Sequence, residues 1–310
     1  MILEILILVV GLALVVFGAD WLVDGASAVA RKAGVSEFVI GLTIVGFGTS
    51  CPELVVSLTG AIKGISDISI GNVVGSNIFN TLLILGVTAV LSPIAITKSN
   101  KLRDIPLTFV VTLLFVVFGK FHNDISRLEG IAFLLLFATY IFYCFKSDSA
   151  EIEESEDKHL KLFAAIALVF AGLAGLVIGG RLFVDSATEI ARIAGISDKF
   201  IAITILAGGT SLPELATCVV AAVKKKGQLA LGNILGSNVF NILLILGASA
   251  VVTPLSFASM NWVDLGVLLL SAVLLFVGCY TGKKDKLDRF DGILLLACEA
   301  AYFTWLVIEL

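Results

Sequence analysis

Gly48-Thr-Ser-Cys-Pro-Glu-Leu54 occurs again, 161 residues further on, as Gly209-Thr-Ser-Leu-Pro-Glu-Leu215. Gly71-Asn-Val-Val-Gly-Ser-Asn-Ile-Phe-Asn80 returns at the same distance as Gly232-Asn-Ile-Leu-Gly-Ser-Asn-Val-Phe-Asn241. Positions 34–93 align with 195–254 without a gap, and the match reaches back to place Asp24 on Asp185 and Arg31 on Arg192. With a one-residue slip it also carries Arg127, Gly130 and Tyr140 onto Arg289, Gly292 and Tyr302. The whole chain is therefore a duplication.

The sequence around these motifs is that of a membrane protein. Of 310 residues 58% are hydrophobic and 15% charged, with a mean hydropathy of +1.06. A soluble domain is about half apolar and a quarter charged. This excludes a nucleic-acid module, a secreted disulfide scaffold and a soluble enzyme. A net charge of −4 points to no acidic or basic partner. Since a helical span needs ~20 apolar residues, hydropathy and breakers predict ten, at about 3–30, 38–61, 70–92, 104–119, 128–145, 160–190, 199–223, 230–253, 262–280 and 290–309. The expected fold is an all-α polytopic membrane protein of ten transmembrane helices in two five-helix repeats, 1–147 and 160–310, with an acidic cytoplasmic linker at 148–159. Five is odd, so the second repeat enters the membrane from the opposite face. Such inverted repeats build many secondary transporters, whose substrate sites lie at mid-membrane between the halves, on interrupted helices.

Ten spans place both termini on one side. With the N-terminus outside, fifteen of the twenty-one Lys and Arg residues fall in cytoplasmic connections, as the positive-inside rule requires. The expectation is a multi-pass protein of the cell membrane with extracellular termini, embedded in the lipid bilayer and acting as a monomer. No basic leader precedes the first span. The five cysteines are scattered singly and the two histidines, His122 and His159, lie in polar connections, so no transition-metal site is expected.

An acid inside the bilayer is costly, ~2.5–3.5 kcal/mol on insertion scales, yet Glu53 and Glu214 sit within the second and seventh spans at equivalent positions. Pro52 and Pro213 lack an N–H, which strips the carbonyls of Gly48 and Gly209 of their helical partners. The preceding Gly-Thr-Ser stretch can unwind and turn carbonyls, including those of Thr49 and Thr210, toward a cavity. The spacing of four from Thr49 to Glu53, and from Thr210 to Glu214, predicts hydroxyl, carbonyl and carboxylate on one helix face. Ser76 with Asn80 and Ser237 with Asn241 are also four apart and supply the opposite wall, while Asn77 and Asn238 are expected to cap or to hydrogen-bond between helices. Two carboxylates and two carbonyls offer up to six oxygens, which suits calcium better than magnesium, and no thiolate or imidazole accompanies them to favour a softer metal.

The paired Gly-Thr-Ser-x-Pro-Glu and Gly-x-x-Gly-Ser-Asn-x-x-Asn motifs resemble the two alpha-repeats of the sodium/calcium exchanger family, in its compact prokaryotic form. The resemblance covers both halves. It implies exchange of three Na+ for one Ca2+ by alternating access, no cofactor and no nucleic-acid partner. It implies a calcium site of Glu53 and Glu214 with the Thr49 and Thr210 carbonyls. Sodium sites would add Ser237 with the Ala207 carbonyl and Ser76 with the Gly46 carbonyl, and Asn80 and Asn241 would wall a middle position. Long sloping helices 1 and 6 would slide as gates. Some relatives carry aspartate where Asn241 stands; two neutral asparagines leave a formal site charge of −2 and make a 3:1 cycle electrogenic. A calcium/proton antiporter of the same architecture is the alternative reading, since buried glutamates can carry protons. A channel has no need of the symmetry, and an intramembrane enzyme lacks a nucleophile–histidine pair. Glu299 stands where the first repeat has Phe137, and no transport role is expected of it.

Overall fold

The computed structural model describes residues 1–147, 160–196, 201, 205, 207–258, 260–281 and 285–309. The linker 148–159 lies outside them, as does most of 197–206, the first part of the expected seventh span. Among the described residues, eight helices are long and apolar enough to cross a membrane, or nine if a bent pair counts as one span. In chain order they are α1 (Ile2–Ala33), the bent pair α2 (Glu37–Thr49) and α3 (Cys51–Ile62), α4 (Ser66–Leu91), α5 (Asn100–Gly119), α6 (Arg127–Lys146) and α7 (Leu162–Ile193). The shorter α8 (Leu212–Val223) follows, then α9 (Gly227–Val252), α10 (Trp262–Tyr280) and α11 (Arg289–Ile308). Apart from the start of α8, at Leu212 where about 199 was expected, these boundaries fall within four residues of those expected from hydropathy.

Helix ends follow local rules that the duplication repeats. α1 stops at Gly34, whose φ of 68° is a left-handed cap, and Gly195 takes the same form at φ 81° after α7. Only glycine adopts this conformation without steric cost. At the next such position the copies differ: Gly64 has φ 71° and its counterpart Lys225 has φ 59°. Lys225→Gly is expected to stabilise the folded protein by about 1 kcal/mol, read as a rise in melting temperature in detergent.

Two helices form the interior. In α4 and α9, 72% and 83% of the apolar window is buried, against 17–39% in the other long helices. The remainder of the bundle shows large apolar side chains outward, such as Phe17, Phe142, Phe170 and Phe290, as a lipid-facing surface must. α1 and α7 cross antiparallel. A Cβ on Gly11 would meet Phe183 N at 2.7 Å, one on Gly18 would meet Leu176 N at 2.8 Å, and one on Gly25 would meet the Ala165 carbonyl at 2.7 Å. Gly172 and Gly179 return the contact, 2.6 Å from Leu22 N and 2.7 Å from the Gly11 carbonyl. Small residues on both helices thus let the backbones touch. Two antiparallel ribbons of two residues per strand clasp the repeats to each other. Ile94 and Ala95 pair with Leu287 and Lys286, and Asp124 and Ile125 pair with Ser256 and Leu255.

Candidate ion-binding site

Both copies of the Gly-Thr-Ser-x-Pro-Glu motif break the helix at the serine. Ser50 has φ −83°, ψ 7° and Ser211 has φ −88°, ψ 5°, in the bridge region between helix and strand. Pro52 and Pro213 sit in the first turn of the helix that follows. α2 and α3 meet at 51°. Two backbone bonds cross this break, from Ser50 N–H to the Gly46 carbonyl and from Leu54 N–H to the Ser50 carbonyl, each 3.1 Å. Leu215 N–H repeats the second, at 3.0 Å to the Ser211 carbonyl.

The two glutamates are buried, each 1% exposed, and each is held by the other half of the chain. Ser211 Oγ donates to Glu53 Oε1 at 3.3 Å and Ser50 Oγ donates to Glu214 Oε1 at 3.0 Å. Because Ser50 precedes Glu53, and Ser211 precedes Glu214, by three residues, this exchange brings both helix breaks together. Ser76 Oγ donates to Glu53 Oε1 at 3.4 Å, and Ser237 Oγ lies 2.9 Å from Ser50 Oγ. Both second-motif serines therefore join the carboxylate network, Ser76 directly and Ser237 through Ser50. Glu53 Oε2 and Glu214 Oε2 have no hydrogen-bond partner among the described residues.

The asparagines complete the arrangement. Asn241 Nδ2 donates to Asn77 Oδ1 at 2.8 Å, and Asn80 Nδ2 donates to Asn238 Oδ1 at 3.2 Å. Asn77 Nδ2 is fixed on the Asn238 carbonyl (3.2 Å) and Asn238 Nδ2 on Thr81 Oγ1 (2.8 Å). Asn77 and Asn238 thus bind across the repeats, one of the two roles expected of them. They engage the nitrogen ends of Asn80 and Asn241 and leave Asn80 Oδ1 and Asn241 Oδ1 without a donor. Asn80 opens one π-helical turn, Asn80–Ile84, and Asn241 lies in another, Phe240–Leu246, a distortion frequent at functional sites.

Eight buried side-chain polar atoms have no partner among the described residues, all of them oxygens. Six form three repeat-related pairs: Glu53 with Glu214, Asn80 with Asn241, and Ser27 with Thr188. Leaving a buried polar group unpaired costs about 1–3 kcal/mol, more when it is charged. The four bare acceptors on the glutamate and asparagine pairs are of the kind that could hold a cation. An all-oxygen set suits a hard ion, and no cluster of three His, Cys, Asp or Glu residues exists among the described residues to suit a softer one.

Thr49 departs from the spacing argument. Its hydroxyl is held by Asn233 Oδ1 at 3.2 Å and the Gly46 carbonyl at 3.4 Å. The Gly46 carbonyl already receives Ser50 N–H and the Thr49 hydroxyl. Thr210 is half-buried beside Ser211, and Ala207 begins the short turn Ala207–Gly209 one helical turn before it. Residue spacing did not single out Ser50 and Ser211 as partners of the carboxylates, nor Asn72, whose Nδ2 holds the Glu53 carbonyl at 3.1 Å, nor Asn233. All four lie in the duplicated motifs, and their exact recurrence was the available signal. Ser50→Ala removes the 3.0 Å donor to Glu214 Oε1 and is expected to lower apparent cation affinity by about tenfold, the equivalent of one hydrogen bond to a charged group, in a titration of ion-dependent transport.

Comparison with known proteins follows the same two halves. The family model described as sodium/calcium exchanger protein matches residues 3–146 and 164–308. An uncharacterized membrane protein of Methanocaldococcus jannaschii, MJ0091, is 40% identical over 290 residues, covering 93% of this chain and 92% of its own. The sodium/calcium exchanger MaX1 of Methanosarcina acetivorans is 37% identical over 340 residues, covering 96% of each. A solved structure of the sodium-calcium exchanger NCX_Mj, soaked with Na+ and Sr2+, superposes with a TM-score of 0.86 at 36% identity, covering 98% of both chains.

Proposed function

Because this chain belongs to the sodium/calcium exchanger protein family, a family of cation/calcium antiporters, we propose that it exchanges sodium for calcium across the membrane by alternating access. The exchange ratio is 3 Na+ to 1 Ca2+. The observation that carries this reading is the set of four bare acceptors, Glu53 Oε2, Glu214 Oε2, Asn80 Oδ1 and Asn241 Oδ1. Both ions need the same two carboxylates, so occupancy by one excludes the other. A calcium ion neutralises the formal charge of −2; three sodium ions leave +1, and the cycle moves net charge. The Thr49 and Thr210 carbonyls join the calcium site. Ser76 with the Gly46 carbonyl and Ser237 with the Ala207 carbonyl contribute to the sodium sites, and the asparagines wall the middle.

The repeats 1–147 and 160–310 are two five-helix units of opposite orientation, joined by the cytoplasmic linker 148–159, with both termini outside and the monomer as the working unit. The antiparallel crossing of α1 and α7, which the duplication makes equivalent, supports the inversion. Alternating access then needs the two states of the core to differ in ion affinity.

The test is calcium uptake into vesicles. Protein reconstituted with sodium inside is expected to accumulate calcium from a sodium-free medium, and to do so faster when valinomycin and external potassium compensate the exported charge. Uptake that persists without sodium overturns the reading. Uptake driven by a pH gradient alone would assign the counter-ion to the proton.

A further inference from the structure

The duplication relates an ion pair that is made to one that is not. Lys224, at the end of α8, lies 2.7 Å from Asp20 Oδ1 and 2.5 Å from Asp24 Oδ1, tying α1 to the core. At the 161-residue offset Lys224 corresponds to Lys63 at the end of α3, Asp24 to Asp185, and Asp20 to Arg181. No Lys63–Asp185 pair is formed among the described residues; Asp185 faces Arg181 on its own helix at 3.7 Å. The side chains of Arg181 and Asp185 are 84% and 70% exposed, against 45% and 42% for Asp20 and Asp24.

Packing shows the same difference. α1 lies along α8, with Leu22, Val23, Ala26 and Ala28 buried. On α7 the equivalent Phe183, Val184 and Ala187 are half-buried and Glu189 is exposed. α7 makes no comparable packing against α3.

We propose that Lys224 with Asp20 and Asp24, and Lys63 with Asp185, are two latches that close in alternation, each pinning one of the crossed helices to the core at one face of the membrane. This rests on the alternating-access reading. α1 and α7 touch backbone to backbone through Gly11, Gly18, Gly172 and Gly179, with no room for a single added carbon. They therefore move as one body, and a tilt that lays α7 on α3 lifts α1 off α8. The two latches are unequal. Lys224 meets two carboxylates on successive turns, whereas Lys63 would meet one carboxylate shared with Arg181, a like charge. This inequality favours the state described here, closed at Lys224. A ligand or substitution reverses it only by favouring one of the two states over the other.

The latches are tested by cross-linking in the full chain reconstituted in vesicles. Lys63→Cys and Asp185→Cys are introduced together, oxidised, and the cross-linked peptide is identified by mass spectrometry, which separates it from products of the partly exposed native Cys51 and Cys298. The cross-link is expected to form, and Lys224→Ala is expected to raise its rate about fivefold, the lower end of typical coupling between sites. Asp24→Asn is a milder opening of the same latch and should act in the same direction. Failure to cross-link overturns the second latch; a rate unmoved by both Lys224→Ala and Asp24→Asn overturns the alternation. The readout needs no transport, so absence of sodium-driven calcium uptake in the unsubstituted protein would count against the antiporter reading and leave this measurement intact.

Discussion

Glu53→Gln or Glu214→Gln is expected to abolish sodium-driven calcium uptake, with initial rates at least about a hundredfold below the unsubstituted protein. Glutamine keeps the volume and the hydrogen bond from the serine of the other repeat. It removes half the formal charge of the site. In addition, its amide must place an N–H₂ either at the position of the bare Oε2 or against the serine hydroxyl. The first aims a donor at the cation; the second keeps the contact with Ser211 or Ser50 only if the hydroxyl turns from donor to acceptor. Losing one carboxylate leaves a buried cation short of a counter-charge, a loss of about 3 kcal/mol or more, and each tenfold in affinity is about 1.4 kcal/mol. Because the glutamates are related by the duplication, the two substitutions should be equally damaging. A variant that remains monodisperse yet retains a tenth of the uptake would show that its carboxylate is not a ligand.

Gly236→Val is expected to cost about 3 kcal/mol of folded stability, the upper end for overpacking, and to remove transport with it. A Cβ at this position would stand 2.4 Å from the Leu42 carbonyl and 2.8 Å from Leu42 Cα. Those are backbone atoms, which cannot rotate away. Gly232 is set just as tightly, 2.2 Å from the Phe38 carbonyl, and Gly41 answers from the other side, 2.3 Å from the Leu229 carbonyl. Separating α2 from α9 would displace Ser237, the neighbour of Gly236, from Ser50 and so loosen the support of Glu214. Gly266→Ala is the control: it is exposed and nothing stands within 4 Å of its added carbon. Thermal unfolding in detergent should show a large loss for the first and none for the second.

Much of this architecture was legible because two signals were strong. Hydropathy placed the long spans to within a few residues, since lipid leaves little freedom in span length. The recurrence of the motifs drew out both glutamates, the serines and the asparagines, which the fold buries together in one hydrogen-bonded network or beside it. What remained hidden depends on geometry that a pattern of residue types does not encode. The spacing of four between Thr49 and Glu53 assumed a continuous helix, whereas the break falls at Ser50, between them, and the Thr49 hydroxyl meets Asn233 of the other repeat. The cross-over of serines onto the opposite glutamates is a contact between segments more than 150 residues apart. The ribbons pairing Ile94 with Leu287 and Ile125 with Leu255 are two residues long, too short for any periodicity. The unequal state of Lys63 and Lys224 is a property of one conformation, and two identical residue types at equivalent positions carry no trace of it.

The claim beneath the whole account is competition of two cations for one pair of carboxylates. Calcium binding to the purified protein in lipid nanodiscs measures it directly, with sodium or potassium as the background salt. The account predicts one calcium ion per chain in potassium, displaced steeply by sodium and lost in Glu53→Gln and Glu214→Gln. Calcium bound equally well in saturating sodium, or undiminished without either carboxylate, would contradict it.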